Sequence, residues 1–267
     1  MNRISTILAV LFATLFSIEA FAWGGLGHRT IATLAERHLT PKAKANIEQY
    51  TKGTPLADYA VWLDQVRKFE DQTYAKATDG WHASIADTEC KTSQALRDKR
   101  RQGRDAVTAT LMYTEMFKNR KALTDSTVLV ALKSLIHMVG DIHCPAHVRF
   151  TDNNNDGKYD VYYYGYKRSL HKIWDTSVIA HDHKGWTPAI YAEELDTWSK
   201  DEIKNATRGW IEEWFEDAAR DIRPVIDWAP EGAELGQEFQ DKALPVAEHQ
   251  MRKAGYQLAK LLNTLFN

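Results

Sequence analysis

A mainly α fold, a single helical domain with one small β-hairpin, is what this sequence predicts, and three observations predict it. Apolar residues recur at intervals of three and four over most of the chain, the spacing that lines one face of a helix. Strand character is confined to residues 159–166, an aromatic-rich run after the turn-forming Asn153-Asn154-Asn155-Asp156-Gly157. No internal repeat, low-complexity linker or break in composition divides the chain.

Taken in order, Ile31, Leu34 and Ala35 share one face of a helix that follows His28. Thr40-Pro41 supplies an N-cap and a proline at the first helical position, where its missing N–H is not needed, and so opens a second helix. A third begins near Thr54-Pro55 and carries Trp62, Leu63 and Val66. Runs without breakers, or with apolar spacings of three and four, predict helices at 92–118, 126–140, 170–179, 192–220 and 236–266. In the last, Leu244, Ala247, Met251, Ala254, Leu258, Leu261 and Leu265 stay in register, with Pro245 in a first turn or at a kink.

Composition narrows the function. Among 267 residues, 34 Lys and Arg stand against 36 Asp and Glu, a formal charge of −2, with 44% hydrophobic residues. A disordered chain, a collagen-like repeat and a polybasic nucleic-acid coat are excluded. With so little net charge, any grip on an anionic partner must come from a local positive centre, such as a metal cluster. Residues 1–22 read as an export signal: Arg3 gives a positive start, residues 7–18 are an apolar run too short to span a bilayer, and Ala20-Phe21-Ala22 has the small-x-small pattern of a cleavage site. The expected product, residues 23–267, is secreted or periplasmic and has no stable membrane association. Its two cysteines, Cys90 and Cys144, form one disulfide or none, and they are too few for a Cys-rich zinc site.

Histidine and carboxylate ligands are left for metal. His137 and Asp141, four apart on one helix, share a face, and His147 follows once Pro145 turns the chain. His171 and Asp175 repeat the spacing. Imidazole nitrogen and carboxylate oxygen suit zinc. An isolated pair of this kind is more often a surface ion pair, but two in one chain are less easily set aside.

These residues also carry a resemblance. Trp23-Gly24-Gly25-Leu26-Gly27-His28, His137-Met138-Val139-Gly140-Asp141-Ile142-His143-Cys144-Pro145-Ala146-His147 and Leu170-His171-Lys172-Ile173-Trp174-Asp175 are similar to three signature segments of the S1/P1 nuclease family. Gly255-Tyr256-Gln257-Leu258-Ala259 to Leu262-Asn263 resembles the family's last helix, so the likeness spans nearly all of the mature chain. It implies a helical fold of the phospholipase C/P1 nuclease type holding three zinc ions in a cleft. By position, Asp64, His82, His137 and Asp141 would hold the first, and His147, His171 and Asp175 the second. The third would take His28, a shared Asp141, and the α-amino nitrogen and carbonyl oxygen of Trp23. Asp64 lies in Trp62-Leu63-Asp64, similar to the family's Trp-Ala-Asp, and His82 follows Trp81; both rest on the resemblance alone.

The implied chemistry is in-line attack on phosphorus by a water activated between two zincs that Asp141 bridges, giving 5′-phosphorylated products. Arg67 falls where the family places a cation that binds phosphate in the transition state, a task suited to a guanidinium fork. The implied substrates are single-stranded DNA and RNA, and mononucleotides through a 3′-nucleotidase activity.

The sequence also departs from the family. Ala83-Ser84-Ile85 follow His82 where an aromatic and then Asn or Asp more commonly stack on and hydrogen-bond a base; Asp87, Tyr163 and Trp186 are candidates to substitute. Ser169 replaces the usual Asn before Leu170, and His143, not a family ligand, reads as lying behind the ligands or exposed. The run Asp152 to Gly157 resembles the start of a calcium loop, but its twelfth position is Tyr163 rather than Glu, so a turn is expected. His181-Asp182-His183 reads as a polar loop, and Asn205-Ala206-Thr207 is a glycosylation sequon only in a eukaryotic secretory route. Arg97, Lys99, Arg100, Arg101 and Arg104 form a basic helix surface able to guide a polyanion. The alternatives are a zinc phospholipase C, against which stand the short His28–Trp23 spacing and Asp175 in place of Glu, and a non-catalytic zinc-binding protein.

Overall fold

The computed structural model describes residues 23–69, 72–153 and 158–267. The expected export signal and residues 154–157 of the Asn-rich turn lie outside them. The first helix, Gly24–Arg37, buries Ile31, Leu34 and Ala35 and packs most extensively against the C-terminal helix, Gln237–Phe266. Asn263 near the end of that helix ties down the connection to the second helix, Pro41–Thr51, donating to the His38 carbonyl at 2.9 Å and accepting from the Thr40 amide at 2.7 Å. Thr40 caps the second helix through the Ala43 amide, as its pairing with Pro41 predicts. Pro245 sits inside the last helix rather than in its first turn, and forgoes the bond to the Asp241 carbonyl.

Several expected helices prove to be series of shorter ones, each broken by local chemistry that apolar spacing does not register. Residues 92–118 divide into Gln94–Arg101 and Ala106–Phe117, because Gln102 and Gly103 take left-handed φ values of 56° and 67° and Asp105 restarts the helix by accepting from the Thr108 amide at 3.0 Å. Residues 192–220 divide among Pro188–Leu195, Lys200–Ala206 and Ile211–Ile222, with a reciprocal Ser199–Glu202 capping box opening the second. The helix expected after Thr54-Pro55 is two single turns, Leu56–Tyr59 and Trp62–Gln65, followed by the 3₁₀ turn Val66–Lys68. Residues 170–179 wind as Leu170–Lys172, a wide π turn Ile173–Ser177, then Val178–His181.

The expected hairpin forms at the strand-like run 159–166 and extends to Ser169. Asp160–Tyr163 pairs antiparallel with Tyr166–Ser169 across Tyr164-Gly165, both at positive φ as a tight two-residue turn requires. Glu234–Leu235 adds a third, parallel strand. A separate parallel pair, Ser84–Ala86 with Val148–Phe150, sets the Ser84 amide on the His147 carbonyl at 3.1 Å. That register brings His82 and His147, 65 residues apart, side by side. One hydrophobic cluster, with Trp23, Tyr191, Trp214 and Phe215 among its largest members, joins these elements. Cys90 and Cys144 are both buried without a disulfide. No described helix is long and apolar enough to cross a membrane.

Candidate metal centre

The helix Asp125–Asp141 delivers the first pair of side chains at its C-terminal turn. Spacing of four sets His137 Nε2 at 3.1 Å from Asp141 Oδ2. Across from it the second turn of Gly24–Arg37 supplies His28, whose Nε2 lies 3.3 Å from the other oxygen, Asp141 Oδ1. The two imidazoles stack with centroids 4.0 Å apart. His82, at the end of the turn Asp79–His82, brings Nδ1 to 3.1 Å from Asp141 Oδ2 and 3.2 Å from His137 Nε2. Asp64 Oδ1 completes this group at 3.6 Å from His82 Nδ1 and 3.7 Å from His137 Nε2.

A second group forms where the hairpin runs into the Leu170 helix. Ser169 caps that helix, so His171 and Asp175 project together, with His171 Nε2 3.2 Å from Asp175 Oδ2. His147 Nε2 approaches Asp175 Oδ1 at 3.4 Å. The wide turn that carries Asp175 is the kind of helical irregularity that recurs where a side chain must be re-aimed.

Trp23 stands at the head of the first helix with φ of 51°, fully buried, its indole donating to the Gly140 carbonyl at 2.8 Å. It therefore adjoins Asp141 through Gly140. Arg67 is exposed on the turn after Asp64 and lines the cleft above the groups. That cleft, about 640 Å³, opens onto Asp64, His82, His147 and His171. His28, His137, Asp141 and Asp175 are buried.

Burial on this scale forces the charges to be shared. Desolvation, with His137 adding to it, pushes His28 down to about 4, and desolvation lowers His82. Burial opposes charge on His137 too, but the Asp141 and Asp64 carboxylates outweigh it and hold its pKa up at about 9. Asp141 is likewise held well below the usual carboxylate range, because His137 and His147 overcome its burial. Burial raises Asp64, whereas at Asp175 the adjacent imidazoles of His147 and His171 more than offset burial and lower that group.

The donor set fits metal. Three groups, His28-His137-Asp141, Asp64-His82-His137 and Cys144-His147-Asp175, each hold their ligand atoms within 4.8 Å of one another. Zinc bonded at about 2.0–2.1 Å in a tetrahedron needs ligand atoms roughly 3.4 Å apart, close to the 3.1–3.7 Å separations here. Buried atoms at the centre, His28 Nε2, Asp64 Oδ2, Asp141 Oδ1, His147 Nε2 and Asp175 Oδ2, have no hydrogen-bond partner, a costly state for so many polar atoms unless a cation meets them. On two of the histidines the opposite nitrogen is anchored: His137 Nδ1 lies 2.8 Å from the Ala60 carbonyl, and His147 Nδ1 contacts the His82 carbonyl.

One neighbour escaped the sequence reading. Cys144, three residues before His147 inside the His137–His147 segment, donates its thiol to Asp175 Oδ1 at 3.5 Å. Its position in that segment was the available signal. His143 is fully buried, its Nδ1 2.8 Å from the Val139 carbonyl, so the exposed alternative for it fails. Arg97 leaves the basic surface group: it is wholly buried, tied to Glu212 at 2.8 Å and Thr108 at 3.0 Å. None of the three expected base-binding substitutes lines the cleft. Asp87 accepts from the Glu89 and Lys91 amides, Tyr163 donates to Gln240, and Trp186 packs on His183 and Tyr191. His183 is engaged with the Ile179 carbonyl and Asp182 with Gln240, so that loop gathers no metal group.

A helical fold with clustered buried imidazoles and carboxylates under an Arg-lined cleft is an arrangement able to hold metal beside an anionic ligand. Comparison makes the assignment specific. The family model described as S1/P1 Nuclease matches residues 23–267, and the chain belongs to that family of nuclease hydrolases. Nuclease S1 of Aspergillus oryzae is 26% identical over 287 residues, covering 97% of each chain. Endonuclease 1 of Arabidopsis thaliana is 26% identical over 302 residues, covering 100% of this chain and 94% of its own. Nuclease P1 of Penicillium citrinum is 25% identical over 280 residues, covering 91% and 97%.

Proposed function

We propose that the protein is an exported trinuclear zinc endonuclease that hydrolyses phosphodiester bonds of single-stranded DNA and RNA to 5′-phosphorylated products, with 3′-nucleotidase activity on mononucleotides. The observation that carries this reading is the set of partnerless buried ligand atoms converging from separate segments beneath a cationic cleft. In this reading Asp64, His82, His137 and Asp141 hold one ion, His147, His171 and Asp175 a second, and His28, Asp141 and Trp23 a third. Zinc at such a centre lowers the pKa of water and offsets charge developing on phosphate oxygens. Asp141 stays ionised and turns one oxygen to His28 and the other to His82 and His137, so it would be placed to serve two ions. The Ala60 and His82 carbonyls orient His137 and His147, leaving each Nε2 as the donor. Arg67 offers a planar fork to two oxygens of the reacting phosphate. Export rests on residues 1–22 of the sequence.

The test is elemental analysis of the signal-processed protein combined with assays on single-stranded DNA, RNA, a 3′-mononucleotide and phosphatidylcholine. About three zinc ions per chain and cleavage of the first three substrates, abolished by chelation, is the expected result. Hydrolysis of phosphatidylcholine alone would make it a phospholipase, and full zinc with no hydrolysis at all a binding protein.

A further inference from the structure

We propose that Arg100, Arg101 and Arg104 form a phosphate-reading wall that holds a strand beside the scissile bond by its backbone rather than by its bases. This rests on the nuclease reading and adds to it the way substrate is recognised. Among the described residues six cationic side chains line the cleft, these three with Arg67, Arg149 and Lys158, against two carboxylates, Asp64 and Asp79. The chain as a whole carries a charge of −2, so the positive field is local to the cleft. Among the described residues that line it there is no Phe, Tyr or Trp. Bases that would stack on an aromatic platform find none here, and Ala83 occupies the wall beside His82.

The backbone of the basic segment is tied into the wall of the cleft. Left-handed Gln102 and Gly103 end the helix Gln94–Arg101, and the chain folds back against the segment that carries His82. There Gly80 packs so closely that a Cβ would lie 2.3 Å from the Arg104 carbonyl oxygen. Arg101 donates from Nη2 to the Gly80 carbonyl at 3.1 Å, the Ala106 amide donates to the Ala83 carbonyl at 3.0 Å, and Ser84 Oγ donates to Asp105 at 2.9 Å. Arg101 Nε is buried with no hydrogen-bond partner, a desolvated donor that an anionic oxygen would satisfy. Arg100 and Arg104 are exposed and make no ion pair among the described residues, while the nearby Asp98 is taken by Gln94 at 2.7 Å. Arg97, by contrast, is consumed in the interior. Arg100 and Arg104 thus face the cleft without an ion pair among the described residues, and Arg101 faces it with its Nε unpartnered.

Zinc-loaded wild type and the double variant R100Q/R104Q, both checked for fold by circular dichroism, are compared on twenty-nucleotide oligo(dT) and oligo(dA) and on a thymidine dinucleotide. Two lost phosphate contacts, at about 0.7 each for a single strand, lower the slope of log KM against log salt by about 1.4 for the oligomers. Oligomer KM rises about tenfold with kcat changed less than about twofold, dinucleotide KM moves less than about twofold, and wild type treats the two oligomers within about threefold. Equal losses on oligomer and dinucleotide, an unchanged salt slope, or a strong wild-type preference for one base would overturn the proposal. If wild type cleaves none of the three substrates, the nuclease reading is what fails. Anisotropy of labelled oligo(dT) binding with EDTA present then still decides the wall, by the same loss of salt slope in the variant.

Discussion

Gly140 and His28 meet where no larger residue fits: a Cβ at position 140 would lie 2.8 Å from His28 Nδ1 and 3.0 Å from its Cε1. Gly140 also precedes Asp141 and accepts the Trp23 indole proton through its carbonyl. One residue without a side chain thus lets three candidate ligands from two helices crowd together.

Gly140→Ala should therefore displace the His28 ring. Overpacking costs about 1–3 kcal/mol in a filled interior, and a shifted ligand lowers metal affinity about 10–100-fold. Zinc retention against a competing chelator measures the second effect, and thermal unfolding of EDTA-treated protein the first. Because the clash is with one ring, adding His28→Ala should recover most of the stability lost in Gly140→Ala. Additive losses in the double variant would mean that the damage lies elsewhere in the helix.

Asp141→Asn should cost more zinc and more turnover than Asp175→Asn. Asp141 faces three imidazoles from three segments, whereas Asp175 faces two, His147 and His171, beside the Cys144 thiol. Elemental analysis should find close to two ions lost in the first variant and one in the second, with turnover falling in step. Normal zinc and a normal rate in Asp141→Asn would remove the bridging role.

The fold class and the ligand-bearing segments were legible because their signals are local. Helical spacing of three and four marks buried faces, and a His four residues before an Asp needs only one helical turn to meet it, as in His137–Asp141 and His171–Asp175. Asp64 and His82 were not legible in this way. Their convergence on His137 depends on the short turns after Thr54 and on the parallel pairing of Ser84–Ala86 with Val148–Phe150, a contact between segments more than sixty residues apart. Only likeness to a family pointed to them. The break at Gln102-Gly103 was not legible because apolar periodicity continues through residues whose backbone has turned left-handed. With it went the burial of Arg97 and the facing of Arg100 to Arg104.

Away from the centre, Asp221 should set part of the acid limit of stability. Burial works against its charge, but His249, Lys253 and Gln250 bind the carboxylate and carry its pKa well below the ordinary value. A carboxylate depressed in the folded state contributes stability above its unfolded pKa of about 3.9 and loses it as pH falls further. Asp221→Asn should lower the unfolding temperature at neutral pH and flatten its fall below pH of about 4, both proteins being compared with EDTA present. The carboxylate is 35% exposed, so solvent screening moderates the effect. Parallel curves for the two proteins would show that Asp221 is spectator charge, leaving Lys253 to its other partner, Asp217.

Activity should depend on cleavage immediately before Trp23. An α-amino group coordinates zinc as a terminal amine, with an unperturbed pKa of about 7.7–8.0 from which a metal readily displaces the proton. Within a peptide bond the same nitrogen is a resonance-stabilised amide with no lone pair to give. The indole of Trp23 is buried and bonded to the Gly140 carbonyl, and that anchor does not require a free amine. A protein beginning Met-Trp23 should accordingly fold, keep its indole contact, and yet hold about two zinc ions where the correctly cut protein holds about three. Cleavage rates should follow occupancy. Both forms, matched by circular dichroism and given excess zinc, decide the matter: equal zinc content with equal rates would leave Trp23 as a packing residue only, since one added residue at a chain end is otherwise tolerated.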